Sequence, residues 1–246
     1  MKNLVGYITA GVLEDSATSD LILSMKDAGA DAIELGVPFS DPVADGPVIE
    51  RASQLALANG FKFERIYDIT KNVSNEIDML WMGYFNSFYQ KGMKTIAQKA
   101  DELNLKGLII PDLPFEESRL YHPIMDEHKI ALIDFVAPTD TAERIKKVTH
   151  FSSYFIYLVA YAGITGSGQK EDLTKIIENI RAVSDTNLYV GFGVNEKTAK
   201  EKVQNVDGVI VGSAFIQTLI DEKLSTKQKM DTITQLTRTI KERINE

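Results

Sequence analysis

The feature that most constrains this chain is an alternation. Eight short apolar runs, at 4–10, 32–37, 78–84, 107–112, 131–136, 154–160, 188–194 and 208–213, alternate with longer segments of helical spacing. Several of the runs are apolar on both sides, as parallel strands covered by helices should be. Between them, SDLILSMKDAGA (19–30), VIERASQLALANG (48–60), TIAQKADELN (95–104), AERIKKVTHF (142–151), LTKIIENIRAVS (173–184) and KTAKEKVQNV (197–206) place apolar residues three or four apart, with charges on the other face. The last twenty residues, KQKMDTITQLTRTIKERINE, read as a long amphipathic helix that closes the fold. This pattern predicts an α/β chain folded as a single (β/α)8 TIM barrel over residues 1–246. The alternative is an open doubly wound sheet, which usually carries a Gly-rich turn after its first strand. Here the first strand runs into TAGVLEDS, with one glycine, and the barrel is favoured.

Punctuation agrees with the helices. Asp140 with Glu143 has the spacing of a capping box, and Gly29 and Gly60 fall just past helical runs. No Pro/Gly/Ser-rich linker offers a domain boundary, and 44% hydrophobic residues in 246 supply one sizeable core. The net charge of −8 argues against a nucleic-acid partner but not against a small phosphorylated ligand, because a local pocket can be positive in an acidic protein. With no cysteine, disulfides, thiolate catalysis and Cys-ligated metals are excluded, and a reducing, cytoplasmic location is expected. The opening MKNLVGYITAG has a single Lys and no long apolar core, unlike a signal peptide, and no run approaches the ~20 apolar residues of a membrane span.

Barrel chemistry belongs at the C-terminal ends of the strands. In the second run, alternation puts Ala32, Glu34 and Gly36 on one face and Ile33, Leu35 and Val37 on the other. The large apolar residues should face the helices, so Glu34 points into the barrel. Burial raises a carboxyl pKa toward the range a general acid/base needs. The bland reading is a strand-end Glu that meets solvent or a Lys. In the following loop, GVPFSDPVADGPV, three prolines and Gly46 make a stiff turn that could hold Asp45 over the mouth. Asp45 could equally be a helix cap, with Pro47 in the first turn of the next helix. Asp41 reads as a turn or contact residue. The sixth run leads into a loop with Gly163, Gly166 and Gly168 beside Thr165 and Ser167, which fits a lid or an ordinary surface loop. Gly193, Gly212 and Ser213, at the ends of the last two runs, fit a phosphate site made by backbone N–H groups. His122, His128 and His150 read as surface residues, and no metal-ligand spacing is present.

The block ELGVPFSDPVADGP, followed in order by PDLPFEES, AGITG, GFGV and VGSA, resembles the tryptophan synthase α-subunit family over nearly the whole chain. The resemblance implies a lyase that splits indole-3-glycerol phosphate into indole and glyceraldehyde 3-phosphate by a retro-aldol reaction. It assigns Glu34 as the general acid/base that protonates the indole C3, and as a candidate for deprotonating the glycerol hydroxyl. Asp45 is assigned to the positive charge that develops toward the indole N–H. Tyr7, Tyr157 and Phe192 match pocket walls, Thr165 the loop residue that closes on the aspartate, and Gly166, Gly193, Gly212 and Ser213 phosphate-loop positions. The family works as an α2β2 heterotetramer. Its pyridoxal phosphate belongs to the β subunit, which receives the indole through an internal tunnel, so no cofactor is expected in this chain. Asp41, Asn86, Asp112 and Pro114 fall in segments that resemble the β-facing loops.

The chain departs from the family pattern in three places. The first strand begins right after MKN, where the family usually has a helix first, so the barrel bottom is either less covered or covered by something else. Ala160 and Tyr161 stand where a polar pair is common, and the first loop reads GVLED rather than the usual GDP.

Overall fold

The computed structural model describes residues 1–159 and 173–246. Among these, nine strands form one parallel sheet: β1 (Asn3–Thr9), β2 (Ala32–Gly36), β3 (Asp78–Met82), β4 (Gly107–Ile109), β5 (Ala131–Leu132), β6 (Asp134–Val136), β7 (Ile156–Val159), β8 (Leu188–Gly191) and β9 (Gly208–Val211). Their order is β5-β4-β3-β2-β1-β9-β8-β7-β6. All eight apolar runs contain a strand. The count reaches nine because the fifth run divides at Ile133: β5 pairs with β4, and β6 pairs with β7. Ile133 donates its N–H to Leu108 O at 2.9 Å, so the chain itself carries the ring from one ladder to the next. The sheet is therefore a (β/α)8 barrel, and the open-sheet alternative is set aside.

Side chains sort as the period-two pattern requires. Val5, Ala32, Leu80, Ile109, Ala131, Ile133, Phe155, Tyr189 and Ile210 pack together inside the barrel. Ile33, Leu35 and Val37 join the larger layer between the strands and the helices. The N-terminal end of the barrel is closed by its own side chains. The Tyr154 hydroxyl donates to Asp78 at 2.7 Å, Asn3 Nδ2 donates to the Tyr189 hydroxyl at 2.5 Å, and the Tyr189 ring stacks on Phe155 with centroids 4.6 Å apart.

Both helix-ending glycines adopt the left-handed conformation, Gly29 at φ 105° and Gly60 at φ 75°. After the helix Asp15–Asp27, Gly29 N–H reaches Lys26 O and Ala30 N–H reaches Met25 O, the two bonds of a Schellman ending. The capping box expected at Asp140 is displaced. Thr141 caps the helix Ala142–Thr149 by accepting from Arg144 N–H, while Asp140 turns back to accept from Ala137 N–H at 2.8 Å. A full capping box forms instead at Ser225 and Gln228, opening the helix Thr226–Ile244. That helix does close the fold: Lys241 Nζ bonds Asp31 at 2.6 Å and Lys2 O at 2.8 Å, beside the first strand. The segment 197–206 forms only the short helix Ala199–Lys202, because Asn205 takes a positive φ of 62°. Among the described residues, no helix is long and apolar enough to cross a membrane.

The histidine expectation needs correction. His150 is exposed, but His128 is half-buried and lies 3.2 Å from Asp101. His122 is 3% exposed, packed against the Phe151 ring, with Nε2 3.9 Å from Asp134 Oδ1. Its helix, His122–Glu127, turns that residue toward the strands, and burial holds the imidazole pKa below its ordinary value.

Candidate active site

A cavity of about 560 Å³ opens at the C-terminal ends of the strands. Each of Tyr7, Glu34, Asp45, Tyr157, Phe192, Gly193, Gly212 and Ser213 lines it, so positions 206 residues apart in the chain meet in one pocket. Thr165 and Gly166, with the rest of the glycine loop and Ala160 and Tyr161, lie outside the described residues.

Glu34 sits mid-strand in β2, in register with Tyr7 of β1 and Leu80 of β3. It is 2% exposed, and its Oε1 has no hydrogen-bond partner among the described residues. The strand-end reading, with solvent or a Lys beside it, fails on that burial. Desolvation raises the carboxyl from its ordinary 4.5 to about 8. Glu34 therefore holds its proton at neutral pH.

Asp45 is not the helix cap. The N-cap of the helix Pro47–Ala58 is Gly46, with Pro47 in the first turn. Freed from capping, the Asp45 side chain faces the cavity, and burial raises its pKa to about 6, opposed by a hydrogen bond from Tyr84. Two carboxyl groups in one pocket thus differ in protonation near neutrality, because Glu34 is fully buried while Asp45 is less so and has a donor in Tyr84.

Tyr84 is the residue the sequence reading missed. Its hydroxyl accepts from Ala44 N–H at 3.0 Å as well as bonding Asp45, and its ring stacks on Phe39 at 5.2 Å. It therefore fixes the acid-bearing loop from below. Its place two residues beyond β3 was the available signal. Ile49, Asn195 and Gln217 also line the cavity without having been singled out.

Two glycines make room for the tyrosines. A Cβ on Gly36 would run into the Tyr7 hydroxyl, and one on Gly191 into the Tyr157 hydroxyl. Gly191→Ala is expected to cost about 1–3 kcal/mol of stability and to push the Tyr157 ring into the cavity. Chemical denaturation and substrate KM read the two effects, and a KM equal to the parent's would show that the ring has not moved.

Past β8 the chain turns sharply: Phe192 at φ 76° is followed by Gly193 at φ 68°. A non-glycine in the left-handed region is uncommon and costs local strain. Here it turns Phe192 outward at the rim, 43% exposed and edge-on to Tyr157 at 6.5 Å. Thr198 donates to Gly193 O at 2.6 Å and holds the turn. Opposite it, Gly212 precedes the helix Ser213–Leu219, whose first amides lack intrahelical acceptors.

Asp41, Asn86, Asp112 and Pro114 do not line the cavity. All four are exposed. Asp112 accepts from Phe85 N–H at 2.7 Å and so joins the loop after β4 to the short helix Phe85–Tyr89 that carries Asn86. Pro114 caps the helix Phe115–Ser118. Phe85, Tyr89 and Tyr121 cluster beside them, with Tyr89 and Leu120 exposed.

Known proteins share this architecture. The family model described as tryptophan synthase alpha chain matches residues 1–245. The tryptophan synthase alpha chain of Wolinella succinogenes is 53% identical over 246 residues, covering 100% of this chain and 96% of that one. Among solved structures, tryptophan synthase subunit alpha from Legionella pneumophila superposes with a TM-score of 0.88 at 31% identity, covering 99% of this chain and 93% of the other. A chain from the tryptophan synthase a2b2 complex of Pyrococcus furiosus gives 0.83 at 27% identity, with 98% and 99% covered. The chain belongs to the tryptophan synthase alpha chain family, lyases that cleave indole-3-glycerol phosphate to indole and glyceraldehyde 3-phosphate in tryptophan biosynthesis.

Proposed function

We propose that Glu34 and Asp45 divide the acid–base work of this cleavage. The observation that supports the division is their opposite protonation near pH 7 within one pocket. Glu34 gives its proton to C3 of the indole ring, which makes that carbon tetrahedral and moves positive charge onto the ring nitrogen. The Asp45 carboxylate faces the N–H and stabilises that charge as it develops. Loss of the proton from the glycerol hydroxyl next to the ring lets its electrons form the aldehyde. The carbon–carbon bond breaks, and its electron pair restores the aromatic indole. The Glu34 carboxylate left by the first step is the base for the second.

Tyr7, Tyr157 and Phe192 form the walls for the flat ring, and Thr165 is assigned to closing on Asp45. Gly193, Gly212 and Ser213, with Gly166, hold the phosphate through backbone N–H groups. Space beside Gly193 supports this: among the described residues a Cβ there would meet nothing within 4 Å, leaving its backbone open to an anion. Ser213→Asp sets a like charge against the phosphate, and KM for indole-3-glycerol phosphate is expected to rise at least about tenfold. An unchanged KM in steady-state assays would remove Ser213 from the phosphate site.

The same reading has the chain act as one barrel domain in the cytoplasm without a cofactor of its own. It passes indole to a β subunit that holds pyridoxal phosphate, in an α2β2 complex. Asp41, Asn86, Asp112 and Pro114 form the docking face. The adjoining aromatic cluster of Phe85, Tyr89 and Tyr121, with Tyr89 exposed, supports it, since grouped apolar side chains at the surface favour a protein contact. The test is indole release from indole-3-glycerol phosphate by the purified chain, alone and with a β subunit. Slow release alone and fast release in the complex is expected. No indole under either condition would overturn the reading.

A further inference from the structure

Tyr7 brings a hydroxyl into the site that a pocket wall does not need. Its ring leans from β1 over β2, where only the missing side chain of Gly36 leaves room for the hydroxyl. Gly36 shares a face with Glu34 and lies two residues nearer the mouth, about 6.6 Å along the strand. The Tyr7 hydroxyl therefore stands over the Glu34 side chain, on the side from which substrate enters. The Thr9 hydroxyl donates to it at 3.3 Å, and both residues are buried. That bond occupies a lone pair on the Tyr7 oxygen and leaves the Tyr7 proton for another acceptor. Below it, Glu34 Oε1 is buried and has no partner among the described residues. A protonated carboxyl tolerates this, but a carboxylate formed in a dry pocket needs a donor. Tyr157, the other tyrosine of the pocket, lies over Gly191 on β8 and also feels the Glu34 charge, but it comes from the far side of the barrel and not from the strand beside Glu34.

We propose that Tyr7 is a positioning residue for Glu34, its hydroxyl donating to the carboxylate that forms each time Glu34 protonates the substrate. The inference rests on Glu34 being that proton donor. The Glu34 O–H bond breaks, a C–H bond forms at the ring carbon, and the new carboxylate accepts the Tyr7 hydrogen bond. Tyr7 keeps its own proton throughout, since burial and the nearby Asp45 and Glu34 hold its pKa far above the ordinary value.

The experiment compares Tyr7→Phe and Glu34→Gln in the full chain, with indole-3-glycerol phosphate as substrate across pH. Phenylalanine fills the same space over Gly36, so packing is retained. With the donor gone, kcat should fall about tenfold while KM stays within about twofold, the usual weight of a hydrogen bond to a charged group. The alkaline limb of the pH profile should move up by about one unit, because the protonated form of Glu34 is then favoured. Parent-like kcat with an unmoved limb, or a loss confined to KM, would overturn the role of Tyr7 while an inactive Glu34→Gln leaves Glu34 in place. Turnover retained by Glu34→Gln would overturn the assignment of Glu34, and this inference with it.

Discussion

Replacing Glu34 by Gln is expected to lower indole release by at least about 10³-fold, because on the proposed roles one group is lost from two proton transfers, each worth roughly 10²–10⁴. Gln keeps the shape and polarity of the protonated acid, so the pocket should remain intact. The same substitution should raise stability, and the sign follows from the pKa. The folded value of about 8 lies above the ordinary 4.5, so the folded chain holds the proton longer than the unfolded one. Destabilisation then sets in as pH rises above 4.5 and is complete above 8, reaching on the order of 5 kcal/mol. Parent and variant should unfold alike near pH 4, and the variant should be the more stable near pH 8. Denaturation at those two pH values checks this. Equal stability at both would mean that Glu34 is not held neutral by burial. A variant more stable near pH 8 would mean that the site keeps an acid where a neutral residue folds better, as functional sites commonly do.

Asp45→Asn is expected to cost about 10²–10³ in kcat, the weight of one preorganised electrostatic partner to a developing charge. Its signature lies in the pH profile. On the proposed roles Asp45 acts ionised and Glu34 protonated, so the parent's kcat/KM should fall below about 6 and above about 8. In Asp45→Asn the acidic limb should vanish while the alkaline limb stays. A profile that keeps its acidic limb would assign that limb to another group. A parent profile flat from pH 5 to 9 would contradict both carboxyl assignments at once.

Much of this was legible in the chain. The alternation of apolar runs with helical segments located every barrel strand, because a parallel strand covered on both sides cannot be polar. Period-two spacing turned Glu34 inward, since Ile33 and Leu35 have to meet the helices. What misled the reading was local chemistry that has several outlets. Asp140 has cap spacing, yet Thr141 one residue on could serve as well, and the loop geometry chose it. His122 looked like a surface residue because a short helix has too few turns to show which face it buries. Tyr84 was invisible as a site residue because its partners, Ala44 and Asp45, are some forty positions away.

The sequence by itself determined the strands, their inward faces and the two acids, since these depend on spacing within a few residues. Only the tertiary structure decided what each acid is. Whether a carboxyl is enclosed or partnered depends on side chains that arrive from other strands. Tyr7 leans over Gly36 beside Glu34, and Tyr84 reaches Asp45 from the end of β3. That difference in surroundings, and not the residue type, separates a group that titrates near 8 from one that titrates near 6.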